Sequence, residues 1–429
     1  MYHYFPLKRS GSVCLDSRIF EYLGLLRLHL WPYRFKSCDK NHLRTPNHRG
    51  KRIYHIRYWA WLGLRILRFG DRLPSSEECG CGLEHDRTLK EVIIGPLENS
   101  LEYVLESGAE EPFAVFYDKV TYEVAGRFVQ KILNGGGFFV EGPTYEEAEE
   151  KFKRVKGLFK TIVGVGGGTV IDVAKYAAFK SGANFISIPT SPSHDGIASP
   201  TASLFSGGKR VSMKARAPII SLIDPSILST APRFLRASGF GDLIAKIVSL
   251  KDWQLGRDEL GEPYCKTAES FVLKSLRLMT EALETLDAFE KIEYLAEGLV
   301  YSGVAMMLVG SSRPASGSEH LISHYLDMNL KRRIPHGIQC ALGALPMALY
   351  HEKYNDNWWK DEYDWMRIKI LMERAGIPLT LKDAEIPENL MIQAMVEAWK
   401  IRPNRYTILH KRKLDPTEAR KLLIDVQLI

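Results

Sequence analysis

Thr161-Ile-Val-Gly-Val-Gly-Gly-Gly-Thr-Val-Ile-Asp-Val-Ala-Lys175 opens as an apolar, β-prone run, turns through consecutive glycines and continues with helical periodicity. Gly166, Gly167 and Gly168 allow close backbone approach, and free amides at a helix start suit a pyrophosphate. The spacing is neither the six-residue dinucleotide fingerprint nor a nucleoside-triphosphate loop ending in Gly-Lys-Ser/Thr. A purely structural turn stays open, but the position between strand and helix favours phosphate binding. Asp172 and Lys175 share a helix face, where a local ion pair explains them equally well.

Similar units flank this one. Val92–Ile94, Phe113–Tyr117 and Phe138–Glu141 read as strands before it, Phe185–Ile188 and Ile219–Leu222 as strands after it. Helical patterns at Leu97–Ser107, Thr121–Leu133 and Tyr145–Phe159 separate them. The alternation predicts an α/β, Rossmann-like domain with a parallel sheet over residues 86–225. Gly207-Gly208 marks a hairpin turn. From Pro225 onward the pattern is helical, so residues 226–429 form an all-α domain, and the cleft between the two domains is the expected site.

At 429 residues the chain suits two domains with an appendage, and its composition excludes global disorder. Its charge is uneven. Residues 1–72 carry +11 and the rest −4, so the basic balance says little about the main body. Residues 1–85 read as a basic N-terminal extension, or as a start assigned too far upstream, and as dispensable for catalysis. No apolar run is long enough to span a membrane, and no secretory signal is evident, so a cytoplasmic protein without nucleic-acid partners is expected. The six cysteines are scattered, which argues against a disulfide scaffold. Cys38 with His42 and His48, and Cys79 with Cys81, lack the paired spacing of a structural zinc site, so no metal is expected there.

Two further features carry chemistry. Pro189-Thr-Ser-Pro-Ser-His-Asp-Gly196 follows a strand end, where a ligand crevice lies in open α/β sheets. Thr190, Ser191 and Ser193 are donors for a cofactor, and Asp195 for orienting a hydroxyl, although a turn rich in capping residues has the same composition. Asp242, His320 and His336 offer one carboxylate and two imidazoles, a set that suits zinc with open positions. Spacing alone does not join them, and an ordinary core or surface histidine explains each one singly.

Taken together, Gly164–Lys175, Pro189–Ser199, Gly239–Lys246, Ser312–His324, Pro335–Gly343 and Ile401-Arg-Pro-Asn-Arg-Tyr-Thr-Ile-Leu409 resemble the sn-glycerol-1-phosphate dehydrogenase family. That family is grouped with glycerol dehydrogenase, iron-type alcohol dehydrogenases and 3-dehydroquinate synthase. The resemblance implies a dehydroquinate synthase-like fold and NAD(P)H-dependent, zinc-assisted reduction of dihydroxyacetone phosphate to sn-glycerol 1-phosphate for archaeal ether lipids. A glycerol or polyol dehydrogenase is the alternative. It implies one Zn2+ per subunit on Asp242, His320 and His336, which with Asp195 form the catalytic set. It implies cofactor contacts from Gly166, Gly167, Gly168, Asp172, Thr190, Ser191, Ser193, Asp195 and Ser199, with Asp118 as a ribose candidate. Asp195, His324 and Arg313 are implied at the substrate. Lys209, Arg210, Lys214 and Arg313 are candidates for its phosphate, and a homo-oligomer is expected.

Overall fold

The computed structural model describes residues 63–207, 209–285, 290–359 and 362–429, and the backbone of two short strands, Cys14–Leu15 and Lys36–Ser37, which pair in parallel. Apart from those strands, the basic segment before residue 63, with Cys38, His42 and His48, lies outside the described residues. The chain divides into two units, 1–59 and 60–429, and the cavities and side-chain clusters below belong to the second.

A seven-stranded sheet runs in the order Arg65–Arg68, Glu91–Ile94, Ile220–Ile223, Asn184–Pro189, Thr161–Gly166, Phe113–Tyr117, Gly136–Phe139. All neighbours are parallel except the first pair. Phe113–Tyr117 and Thr161–Gly166 are buried along their whole length, as continuous apolar runs in the middle of a parallel sheet must be. The expected hairpin pairs Thr201–Ser206 with Lys209–Lys214 and stands apart from the large sheet. After Ile220–Ile223 the described chain is helical, from Pro225–Ser229 to Pro416–Asp425.

The first strand of the sheet corrects the reading of residues 1–85 as an appendage. Ile66 lies opposite Ile93 and Leu67 opposite Val92 in an antiparallel edge pairing. Phe69 and Leu73 are buried in the main core, and the Phe69 ring meets Tyr301 at 5.9 Å and Phe271 at 6.4 Å. Arg65 reaches Glu297 at 2.6 Å. Residues 63–85 are therefore part of the body, and a chain shortened to begin at Leu83 loses an edge strand and a core aromatic. Phe69→Ala is expected to cost about 3–5 kcal/mol, as truncating a buried aromatic does. Urea denaturation of the purified variant measures this, and an unchanged midpoint would return the segment to the status of an appendage.

Helix Arg233–Leu260 is the axis of the helical half, buried from Ala237 to Gly256. Two neighbours approach it too closely for a side chain. A Cβ on Gly239 would lie 1.9 Å from the Pro192 carbonyl oxygen, and one on Gly337 1.8 Å from the Ser238 carbonyl oxygen. These glycines let the loop after Asn184–Pro189 and the start of helix His336–Tyr354 close on one stretch of helix, beside Asp242.

Candidate active site

Three helices supply the candidate metal ligands. Asp242 and Lys246 sit one turn apart on Arg233–Leu260, His320, Ser323 and His324 lie on Ser318–Asn329, and His336 is the first residue of His336–Tyr354. The Asp242 carboxylate stands 3.6 Å from His320 Nε2, and the rings of His320 and His336 are 5.0 Å apart. The Nδ1 atoms of both imidazoles are engaged. His320 Nδ1 lies 2.6 Å from Glu319 Oε1, and His336 Nδ1 lies 3.1 Å from Ser323 Oγ. That leaves Nε2 of each ring as a ligand atom, the usual way a neighbour orients a metal-binding histidine. Cys340, one turn beyond His336, brings its sulfur to 3.6 Å from His336 Nε2. The donor atoms of His320, His336 and Cys340 lie within 4.8 Å of one another. Cys340 went unnoticed in the sequence; its spacing of four from His336 on a helix was the available signal. The donor chemistry fits a borderline-soft divalent cation such as zinc.

Lys246 ties this group to Asp195. Its Nζ lies 2.8 Å from Asp242 Oδ1, 3.0 Å from Asp195 Oδ2 and 3.1 Å from the Ala315 carbonyl oxygen. The Asp195 amide donates to Asp242 Oδ2 at 2.9 Å, and Ser302 Oγ donates to Asp195 Oδ2 at 2.8 Å. Burial opposes charge on Asp242, yet Lys246 and His320 hold its carboxyl well below the usual range. Burial also opposes charge on His320, but Cys340, Asp242 and Glu319 raise its pKa well above the ordinary imidazole value. His336 is pushed well below that value by burial and by the His320 charge, and His324 by burial and by the Arg402 charge.

The glycine turn faces a cleft of about 690 Å3 bordered by Gly168, Thr169, Asp172, Ser193, His194 and His336. Gly166 ends its strand, paired with Pro189, so its place is in the sheet. Gly167 precedes helix Gly168–Ser181, and a Cβ there would lie 3.2 Å from Ser191 Oγ, a buried hydroxyl with no hydrogen-bond partner among the described residues. A cradle without a side chain, faced by an orphaned donor, fits a dinucleotide phosphate. The His194 ring lies over Gly168, where a Cβ would meet Nε2 at 2.1 Å. Thr190 donates its amide to the Gly166 carbonyl at 3.0 Å, and the Ser193 carbonyl accepts from Ser238 Oγ at 3.1 Å, so both hold the second loop in place. Asp172 and Lys175 do form a buried ion pair at 3.3 Å. Lys175 also donates to the carbonyls of Gly196 and Thr201, which makes it a clamp on that loop. Asp118 caps the helical turn that follows strand Phe113–Tyr117, accepting from the amides of Val120 and Thr121, and it borders neither of the two cavities next to the histidines.

A smaller pocket adjoins the cleft and shares Asp172, His194, Ser203, Arg210 and His336 with it. Asp195, Ser199, His320 and His324 border it, as does Arg402. His324 Nδ1 is buried without a partner among the described residues. Arg210 reaches Ser203 Oγ at 2.6 Å and Asp327 at 3.3 Å, and Arg402 donates to Ser212 Oγ at 2.9 Å. Lys209 and Lys214 do not border this pocket, but Lys214 lines an adjoining cavity of about 1170 Å3 that shares Arg210, Ser212, His324 and Arg402 with it. The expectation for Arg313 needs correction. Its guanidinium is bound to Glu262 at 2.7 and 2.8 Å and to the Asp252 carbonyl at 3.1 Å, and it borders a neighbouring cavity with Glu262, Arg402 and Arg405. It borders neither of the two cavities that His336 lines. Arg402 occupies the place that sequence reading gave to Arg313. The signal was its motif at 401–409, whose distance along the chain hid the destination.

A family profile described as iron-containing alcohol dehydrogenase matches residues 94–232. Among solved structures, glycerol dehydrogenase from Schizosaccharomyces pombe superposes with a TM-score of 0.64 at 18% identity, covering 78% of this chain and 88% of that one. Maleylacetate reductase from Agrobacterium tumefaciens gives 0.62 at 17% identity over 78% and 94%. These likenesses establish the fold, a dehydroquinate synthase-like pairing of a parallel-sheet half with a helical half. Curated relatives are much more similar in sequence. The glycerol-1-phosphate dehydrogenase (NAD(P)+) of Sulfolobus acidocaldarius is 39% identical over 336 residues, 76% of this chain and 93% of that protein. The enzymes of the same name from Staphylothermus marinus and Pyrococcus furiosus are 39% and 35% identical, over 80% and 77% of this chain and 98% and 96% of theirs. With this identity along nearly the full length of those proteins, the chain belongs to the glycerol-1-phosphate dehydrogenase family.

Proposed function

We propose that the chain reduces dihydroxyacetone phosphate to sn-glycerol 1-phosphate with NADH or NADPH, at a zinc ion held by Asp242, His320 and His336. The observation that carries this reading is the shared wall of the two cavities. His336 borders both the glycine-turn cleft and the pocket where Asp195, His320, His324, Arg210 and Arg402 converge. A bound nicotinamide supplies the hydride and a bound zinc ion a positive charge for the developing oxyanion.

The chain's own residues prepare that encounter. Glu319 and Ser323 fix the two imidazoles, and Lys246 balances the half-buried Asp195 and the buried Asp242 carboxylates. Lys246 and Ser302 both occupy Asp195 Oδ2, leaving Oδ1 for a substrate hydroxyl. Ser191 and the amides at the start of helix Gly168–Ser181 receive the cofactor phosphates. Arg402 and Arg210 supply guanidinium groups for the substrate phosphate, which they grip better than lysine would. His324, held neutral by its buried surroundings, offers Nδ1 to the substrate.

The phosphate grip separates this reading from a polyol dehydrogenase. Arg402→Ala is expected to raise KM for dihydroxyacetone phosphate by about 10- to 100-fold, the value of a hydrogen bond to a charged group. Turnover of unphosphorylated dihydroxyacetone should hardly change. Equal losses on both substrates, or none on the phosphate, would remove Arg402 from this role. Among the described residues no helix is long and apolar enough to cross a membrane.

A further inference from the structure

We infer that Cys79, Cys81, His85 and Cys265 form a second, structural zinc site that fastens the edge-strand segment to the helical half. The cluster shares no residue with the two cavities that His336 borders, although His85 lines a further cavity of about 1170 Å3 that Arg210, His324 and Arg402 also line. Each of the four contributes one donor atom, and all four atoms lie within 4.8 Å of one another. Cys79 Sγ and Cys265 Sγ are 3.7 Å apart, His85 Nε2 is 3.6 Å from Cys265 Sγ, and Cys81 Sγ is 3.1 Å from His85 Nε2. Tetrahedral zinc with bonds of about 2.3 Å to sulfur and about 2.0 Å to nitrogen sets neighbouring donors roughly 3.5–3.8 Å apart. Two of these separations match that geometry, and the third needs a shift of a few tenths of an ångström.

The surroundings are those of a ligand set. His85 Nδ1 lies 2.9 Å from the Pro74 carbonyl oxygen, so it carries the proton and turns Nε2 toward the sulfurs. The Ala268 amide donates to Cys265 Sγ at 3.4 Å, and Thr267 Oγ1 lies 3.6 Å from Cys79 Sγ, which suits thiolates better than thiols. Gly80 and Gly82, both at positive φ, allow Cys79 and Cys81 to turn back on one point. Three cysteines and one histidine close a tetrahedron with no position left for substrate, the mark of a structural site. Binding zinc would release the three thiol protons to solvent. Paired spacing is absent because the fourth ligand, Cys265, lies 186 residues from Cys79.

Cobalt substitution of the full-length protein tests the site. The wild type should show an intense thiolate-to-cobalt charge-transfer band. Cys81→Ser should weaken it and lower the bound zinc by up to one ion per chain, whereas His320→Ala and Cys340→Ala should leave most of the band in place. No such band in the wild type, an unchanged band in Cys81→Ser, or its loss in Cys340→Ala would overturn the assignment. If Cys81→Ser does not fold, the band in Cys340→Ala decides, since there no active-site thiolate can produce it. Alkylation of Cys79 and Cys81 should be slow with zinc bound and fast after chelation. Equal rates with and without chelator, or a Cys79–Cys265 disulfide found by mass spectrometry in freshly purified protein, would contradict it.

Discussion

His320→Ala is expected to lower kcat for reduction of dihydroxyacetone phosphate by on the order of 10^2- to 10^3-fold or more, as removing a stabiliser of transition-state charge does. It should also empty the active-site metal position while leaving cofactor affinity nearly unchanged, because the glycine turn and Ser191 lie on other elements. Glu319 provides a graded comparison. Its carboxylate holds His320 Nδ1, so Glu319→Gln is expected to reduce metal affinity or activity by about 10- to 100-fold. Metal analysis beside steady-state kinetics reads both effects. Full metal occupancy in His320→Ala and in His336→Ala would remove the histidine pair from the metal site.

The second large effect is expected at Lys246. Its ammonium is buried between two carboxylates, and methionine matches its length without its charge. Breaking a buried ion pair from one side typically costs about 3–5 kcal/mol, because the partner is left without compensation. Lys246→Met is expected to destabilise the metal-free protein by about this amount, and added zinc should recover part of the loss through Asp242. It should also free Asp195 from its fixed position and lower kcat. Thermal denaturation with and without zinc measures the first effect. A variant as stable as the wild type would show that the lysine does not offset those charges.

The contrast between legible and hidden features follows distance along the chain. The strand–glycine–helix unit at 161–175 and the polar loop at 189–196 could be read because each is continuous, and alternation with helices exposed the parallel sheet. Strand Arg65–Arg68 was missed since four residues bounded by arginines carry little pattern, and its support comes from pairing with Glu91–Ile94. Arg313 was misjudged for a different reason. It stands seven positions before His320, yet Glu262, brought to it by the fold, consumes its charge. Arg402 was overlooked as a site residue although its motif drew notice, because the partner that places it, Ser212, is 190 residues away. Asp242, His320 and His336 were joined through family resemblance; the close approach at Gly239 and Gly337 brings their helices together, while the donor atoms within 4.8 Å of one another are those of His320, His336 and Cys340. The basic charge of residues 1–72 and the start of the family resemblance beyond them marked residues 1–85 as an extension, but burial of Phe69 and Leu73 sets 63–85 with the body.

The measurement that bears most directly on the central claim is the stereochemistry of the product. Purified full-length protein, loaded with zinc, would be given dihydroxyacetone phosphate with NADH and with NADPH, and the glycerol phosphate formed would be resolved into its enantiomers. Oxidation of the nicotinamide with sn-glycerol 1-phosphate as the sole product is the predicted result. Formation of sn-glycerol 3-phosphate, or equal turnover of unphosphorylated dihydroxyacetone, would contradict it.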